Sequence, residues 1–181
     1  MAEDFIACLD YEQGIQAAEL ALDIEIKIHE ETVKHPEIQD TAIFIAMAHQ
    51  QAGDYVKSNE SLAPLLELLD DENSSLSQPK QLKVLIMAAQ NLESLESFED
   101  AVEYLQVALS LALASEDKIS ISQRISSLNL QICRYEAALV AQTEVHKMLV
   151  TLSRTDPDGL LSQPSDSHSH VVLASPHERE Q

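Results

Sequence analysis

Apolar residues along this chain recur with helical spacing, in pairs of stripes separated by short polar turns. Leu85, Ala88, Ala89 and Leu92 stand at i, i+3, i+4 and i+7, one face of a helix. A polar stretch from Glu93 to Ser97 follows, and Phe98, Ala101, Leu105, Ala108 and Leu109 then form a second stripe. The same layout runs from about Ile38 to Leu69. Ala42, Ile45, Ala46 and His49 make its first stripe, Gly53-Asp54-Tyr55 its turn, and Ser58, Leu62 and Leu65 its second stripe. A weaker copy spans Ile119 to about Leu149, with Ile125 and Ser126, then Tyr135, Ala138 and Leu139. In it Asn129 replaces an expected large apolar residue, and the turn reads one residue short. Tyr11 to Glu31 reads as a second helix whose first helix is almost missing. The pattern predicts seven main helices, at about 11–33, 37–52, 55–70, 79–95, 98–115, 117–132 and 135–152.

The copies keep a period. Tyr11, Tyr55, Phe98 and Tyr135 lie 44, 43 and 37 residues apart, and each precedes by three positions a small residue, Gly14, Ser58, Ala101 or Ala138. Self-similarity at that period predicts an all-α solenoid of antiparallel helix pairs. Ala89 and Ala101 are expected where two helices cross closely, since a larger side chain would push them apart. The predicted inter-repeat core is Leu62, Leu66, Leu85, Ala89, Leu92, Phe98, Ala101, Leu105 and Ala108. Gly53 suits a left-handed helix terminus. Pro64 predicts a kink or early break, because it removes a backbone donor, and Pro79 is expected to open a helix. The repeat domain is assigned to 1–152, beginning mid-repeat, with an uncovered apolar face at its start. From Arg154 onward the pattern gives way to Asp, Pro, Gly, Ser and His, so 153–181 reads as a disordered acidic, Ser-rich tail.

The unit from Leu82 to Leu113 resembles the tetratricopeptide repeat (TPR) at nearly every position. In its first helix a large residue is followed by Leu with a small residue and then another large one, and Ala opens the second helix. His35-Pro36-Glu37 and the roughly 40-residue spacing are similar to the longer repeats of kinesin light chains. That resemblance implies a curved, right-handed stack of two and a half to three repeats, with first helices lining a concave side. It also permits one residue-by-residue test. Chaperone-binding TPR domains clamp a C-terminal carboxylate with Lys, Asn and Arg, and the matching positions here hold Phe44 and Met47, Met87, Ser120 and Arg124. Only Arg124 fits, so no such clamp is expected.

Composition narrows the function further. The chain has 181 residues with 31 acidic against 11 basic side chains, a formal net charge of −20. Nucleic acid is bound by displacing its counterions with cations, so this balance excludes it as the expected partner, and it disfavours an anionic membrane surface. A basic protein or peptide would be attracted instead. No run of about 18 apolar residues is present, so no membrane insertion is expected. The first residues lack the basic start and apolar run of a signal peptide, and the expected location is the cytoplasm or the nucleus.

No catalytic constellation emerges, and no enzyme, cofactor or metal is expected. Cys8 and Cys133 are too few and too distant for a metal cluster, and both read as partly buried thiols on helical stripes. His29, His35 and His49 sit on different helix faces or at a helix entry, and His168 and His170 lack further ligands at workable spacing. The acidic runs at Asp70 and Asp156 lack the ligand alternation of a calcium loop. Three glycines, at 14, 53 and 159, make no phosphate loop.

What remains is a surface. Residues pointing away from the partner helix on the first helices are Ile43, Met47, Gln50 and Gln51, then Lys83, Ile86, Gln90 and Glu93, then Gln123, Ser127 and Gln131. Amides beside apolar side chains suit a peptide backbone. The expected function is an adaptor or scaffold that binds a peptide or helix of another protein. The alternatives are a regulatory subunit docking through its terminal helices, homodimerisation through them included, and a compact helical bundle acting as an acidic sensor or small-ligand binder.

Overall fold

In a computed structural model, residues 11–29, 34–69 and 75–155 are described. Their regular structure is entirely helical, in seven helices: α1 Tyr11–His29, α2 Pro36–Gln51, α3 Tyr55–Glu67, α4 Gln78–Ser94, α5 Phe98–Leu111, α6 Ser115–Gln131 and α7 Tyr135–Thr155. Each helix packs chiefly on its neighbours in sequence, with smaller non-sequential contacts such as that of α2 with α4. That is an α-solenoid, in which burial is supplied by adjacent elements.

The helix starts follow from local chemistry. His35 and Ser77 are extended, and Pro36 and Pro79 follow them inside the first turns of α2 and α4. Proline there gives up an N–H that has no intrahelical partner anyway.

The three turns within units are built alike. Gly53, Glu96 and Cys133 have φ of 82, 60 and 59°, the left-handed region. The next residue's N–H then reaches back to the helix it leaves: Asp54 to His49 O at 2.9 Å, Ser97 to Leu92 O at 2.9 Å, Arg134 to Asn129 O at 2.7 Å. This is the Schellman arrangement, which satisfies carbonyls the helix would leave unpaired. The third turn is therefore as long as the others, not one residue short. Only the first uses glycine for the left-handed residue. Cys133, expected on a helical stripe and partly buried, is an exposed turn residue. Cys8 lies outside the described residues.

The helix crossings explain the small residues. Ala46 with Ser58, Ala89 with Ala101, and Ser126 with Ala138 occupy equivalent places, and all six are buried. In the first unit the Ser58 hydroxyl donates to Ala46 O at 2.8 Å, and in the third the Ser126 hydroxyl donates to Ala138 O at 3.0 Å. A hydroxyl is tolerated at these crossings because a backbone carbonyl sits within its reach. Asn129, out of place by apolar pattern, is 3 % exposed and donates to Ile125 O at 2.8 Å.

Of the predicted core, Leu62, Leu85, Ala89, Ala101, Leu105 and Ala108 are buried, and Leu66, Leu92 and Phe98 pack half-buried against them. Three boundaries moved, the first being the end of α3, at Glu67 rather than about 70. Helix α5 ends at Leu111, four residues early, because Ala112 turns extended and enters the core. Helix α7 runs to Thr155, past the assigned domain edge at 152. Pro64 does not end α3, which continues to Glu67, so the proline sits in its last turn. The mid-repeat start turns on residues 1–10, and the tail beyond Thr155 on 156–181; both lie outside the described residues.

Candidate functional site

The first helices α2, α4 and α6 share one side of the stack, and polar groups tie them together. Lys80 Nζ meets Asp40 Oδ1 at 2.7 Å and Pro36 O at 3.1 Å, joining the first turns of α4 and α2. At the other end Gln50 Nε2 donates to Asn91 Oδ1 at 2.8 Å and approaches Gln90 Oε1 at 3.4 Å. Asn91, fully buried, donates in turn to Ser58 Oγ at 2.8 Å and Asn59 Oδ1 at 2.9 Å. Further along, Arg124 Nη2 meets Glu93 Oε1 at 2.5 Å, joining α6 to α4. Arg124, the one residue that matched a carboxylate clamp, is thus engaged within the chain.

Between the Lys80 and Gln50 ties lies a groove of about 630 Å³. Its floor and walls are Ile43, Phe44 and Met47 of α2, with Ala18 and Ala21 of α1 opposite. Pro79, Lys80 and Lys83 of α4 form the third side, and Asp40 and Thr41 complete it. The groove lies where α1 presents one alanine, Ala18, in place of a leucine of both α3 and α5. Ala18 is the repeat equivalent of Leu62 and Leu105, and the smaller side chain leaves space over α2. Asp40 is engaged by Lys80, whereas Lys83 is exposed and makes no ion pair among the described residues. Thr41 Oγ1 donates to Glu25 Oε1 at 3.1 Å, and the other oxygen, Glu25 Oε2, is buried without a hydrogen-bond partner.

The sequence-assigned surface divides accordingly. Ile43, Met47 and Lys83 come together in the groove, although Ile43 is only 4 % exposed and forms its floor. Gln50, Gln90 and Glu93 face the same side but are committed to interhelix bonds. Ile86 is half-buried against the core. Gln51, Gln123, Ser127 and Gln131 are exposed outside this groove. Sequence reasoning missed the α1 wall and Lys80. The signal for the wall was Ala18 at a position held by Leu62 in α3 and Leu105 in α5. Lys80 carried no signal, since its partner lies 40 residues away.

Among the described residues no group of three or more His, Cys, Asp and Glu side chains could hold a metal, and no helix is long and apolar enough to cross a membrane. His49, expected at a helical stripe, is 6 % exposed.

No protein-family model and no curated protein matches the chain. Solved structures do. A protein from Podosopora anserina, described as a kinesin light chain with nearly identical TPR-like repeats, superposes with a TM-score of 0.68 at 17 % identity, over 84 % of this chain and 74 % of that one. A substituted form of it gives 0.68 at 16 %, over 86 % and 73 %. The likeness is one of fold: this chain is a TPR-like helical-repeat solenoid.

Proposed function

We propose that this chain is a protein-interaction adaptor that captures a peptide or helix of a partner in the groove among α1, α2 and α4. The observation that carries the reading is an open, apolar-floored groove of about 630 Å³ in an otherwise tied first-helix surface. Ile43, Phe44 and Met47 would receive an apolar side chain of the partner, and Met47 adapts readily to shape. Lys83 offers a point charge at the rim. The ties at Gln50 and Glu93 imply that the partner is read over a short stretch rather than along the whole stack. No catalytic step is assigned; chemistry belongs to the partner. The cytoplasm remains the location proposed.

A second reading, docking into a larger assembly through a terminal helix, is favoured by Tyr135, Leu139 and Val140 of α7, each 64–68 % exposed.

Selection of peptides from a random displayed library against the full chain tests the first reading. Selected peptides are expected to lose binding to Met47→Asp and weaken on the exposed Lys83→Glu variant, while Gln123→Ala and Ser127→Ala leave them unchanged. Peptides that ignore both groove variants would move the site elsewhere.

A further inference from the structure

A second groove lies on α5, away from the first-helix surface, and its chemistry is the opposite of the first. Asp100, Glu103, Tyr104 and Val107 stand at i, i+3, i+4 and i+7, so one face of α5 presents all four. With Leu92 of α4 they enclose about 410 Å³. Val107 is 48 % exposed, and Tyr104 and Leu92 are half-buried, so the floor is apolar and reachable. Asp100 and Glu103 are exposed and make no ion pair among the described residues. Elsewhere four of the chain's 11 cations meet its own carboxylates: Lys57 on Asp54, Lys80 on Asp40, Arg124 on Glu93 and Lys147 on Glu144.

We infer that this α5 groove docks a basic amphipathic segment of a partner protein, with an apolar side chain over Tyr104 and Val107 and Lys or Arg side chains against Asp100 and Glu103. Charge complementarity selects this occupant. The chain carries 31 acidic and 11 basic residues, so a cationic segment is drawn to it at long range, and an acidic one is repelled. Long-range attraction alone gives no address. The α5 groove does, because it places two uncompensated carboxylates one helical turn apart beside exposed apolar surface. A helix with apolar and basic residues at the same spacing matches that face ridge for ridge. The site is independent of the groove among α1, α2 and α4, so either reading can fail alone.

The test uses the full chain and a labelled helical peptide of Leu and Lys arranged with one apolar and one basic face. Its controls are the same composition scrambled to abolish the faces, and the same pattern with Glu for Lys. Fluorescence anisotropy should show binding of the first peptide alone. The double variant Asp100→Asn/Glu103→Gln should weaken it by about tenfold, and Val107→Ser should weaken it further. A matched removal of two charges on another helix, Glu116→Gln/Asp117→Asn, should leave it unchanged. Circular dichroism confirms that each variant folds. Equal weakening by both double variants would mean diffuse attraction to the net charge and would overturn the proposal. Absence of binding, or equal binding of the scrambled peptide, would overturn it as well.

Discussion

Helices α5 and α7 are the second helices of consecutive units and share a register, yet only one has a following helix laid over it among the described residues. Toward their own first helices they are alike: Ala101 and Ala108 of α5 and Ala138 and Val145 of α7 are all 0–2 % exposed. On the opposite flank they part. Val102 is 3 % exposed beneath α6, while its counterpart Leu139 is 68 % exposed. Leu105 and Leu109 pack into the core, whereas Gln142 and His146 replace them and face solvent. A repeat thus has one flank set by its own partner and one set by its neighbour. On α7, which no described helix follows, polar substitution covers part of the surface and leaves Tyr135, Leu139 and Val140 bare.

The sharpest way to break this comparison is a matched pair of charges. Val102→Asp buries an unpaired carboxylate and should cost about 3–5 kcal/mol, while Leu139→Asp should stay within about 0.5 kcal/mol. Urea unfolding of both variants measures the difference. Equal losses would mean that α7 is covered in solution, by another copy or another part of the chain, and the docking reading would gain accordingly.

A smaller effect separates the turns. Glu96 and Cys133 hold the left-handed conformation that Gly53 holds without strain. Glu96→Gly and Cys133→Gly should each stabilise the chain, by up to about 1 kcal/mol, since the strain relieved exceeds the entropy glycine adds to the unfolded state. Gly53→Ala should do the reverse, even though a Cβ there meets nothing within 4 Å. Thermal melts of the three variants check the sign, and a destabilised Glu96→Gly would contradict the assigned turn.

The smallest effect concerns pH. Asp54 caps α3 by accepting from Lys57 N at 3.2 Å, and the Lys57 side-chain and backbone hydrogen bonds hold its carboxyl below the usual aspartate value. Ser97 makes no such side-chain cap on α5. A depressed folded pKa contributes stability that is present above the unfolded value, near 3.8, and is lost as pH falls through the folded one. Asp54→Asn keeps a capping oxygen and removes the titration. Its stability should therefore fall less than that of the parent as pH drops below about 4, by chemical denaturation across that range.

The repeat pattern was readable because a solenoid writes its contacts locally. Burial depends on elements adjacent in sequence, so the helical period, the aromatic landmarks and the small residues at 46, 58, 89, 101, 126 and 138 were enough to identify the helices and their pairing. Periodicity carried less about helix ends. Good helix formers at 112–114 gave no hint that Ala112 would turn extended to fill the core, and Pro64 does not break α3, which runs on to Glu67. The site was half legible. Ile43, Met47 and Lys83 followed from the face of each helix, since that face is a local property. The ties that engage Gln50, Gln90, Glu93 and Lys80 were not legible, because each joins residues some 31 to 44 positions apart. Whether a surface amide is free or held, and whether Ala18 on α1 opens a groove, depends on where neighbouring helices come to rest. Tertiary structure alone decides that, by packing whole helices against one another.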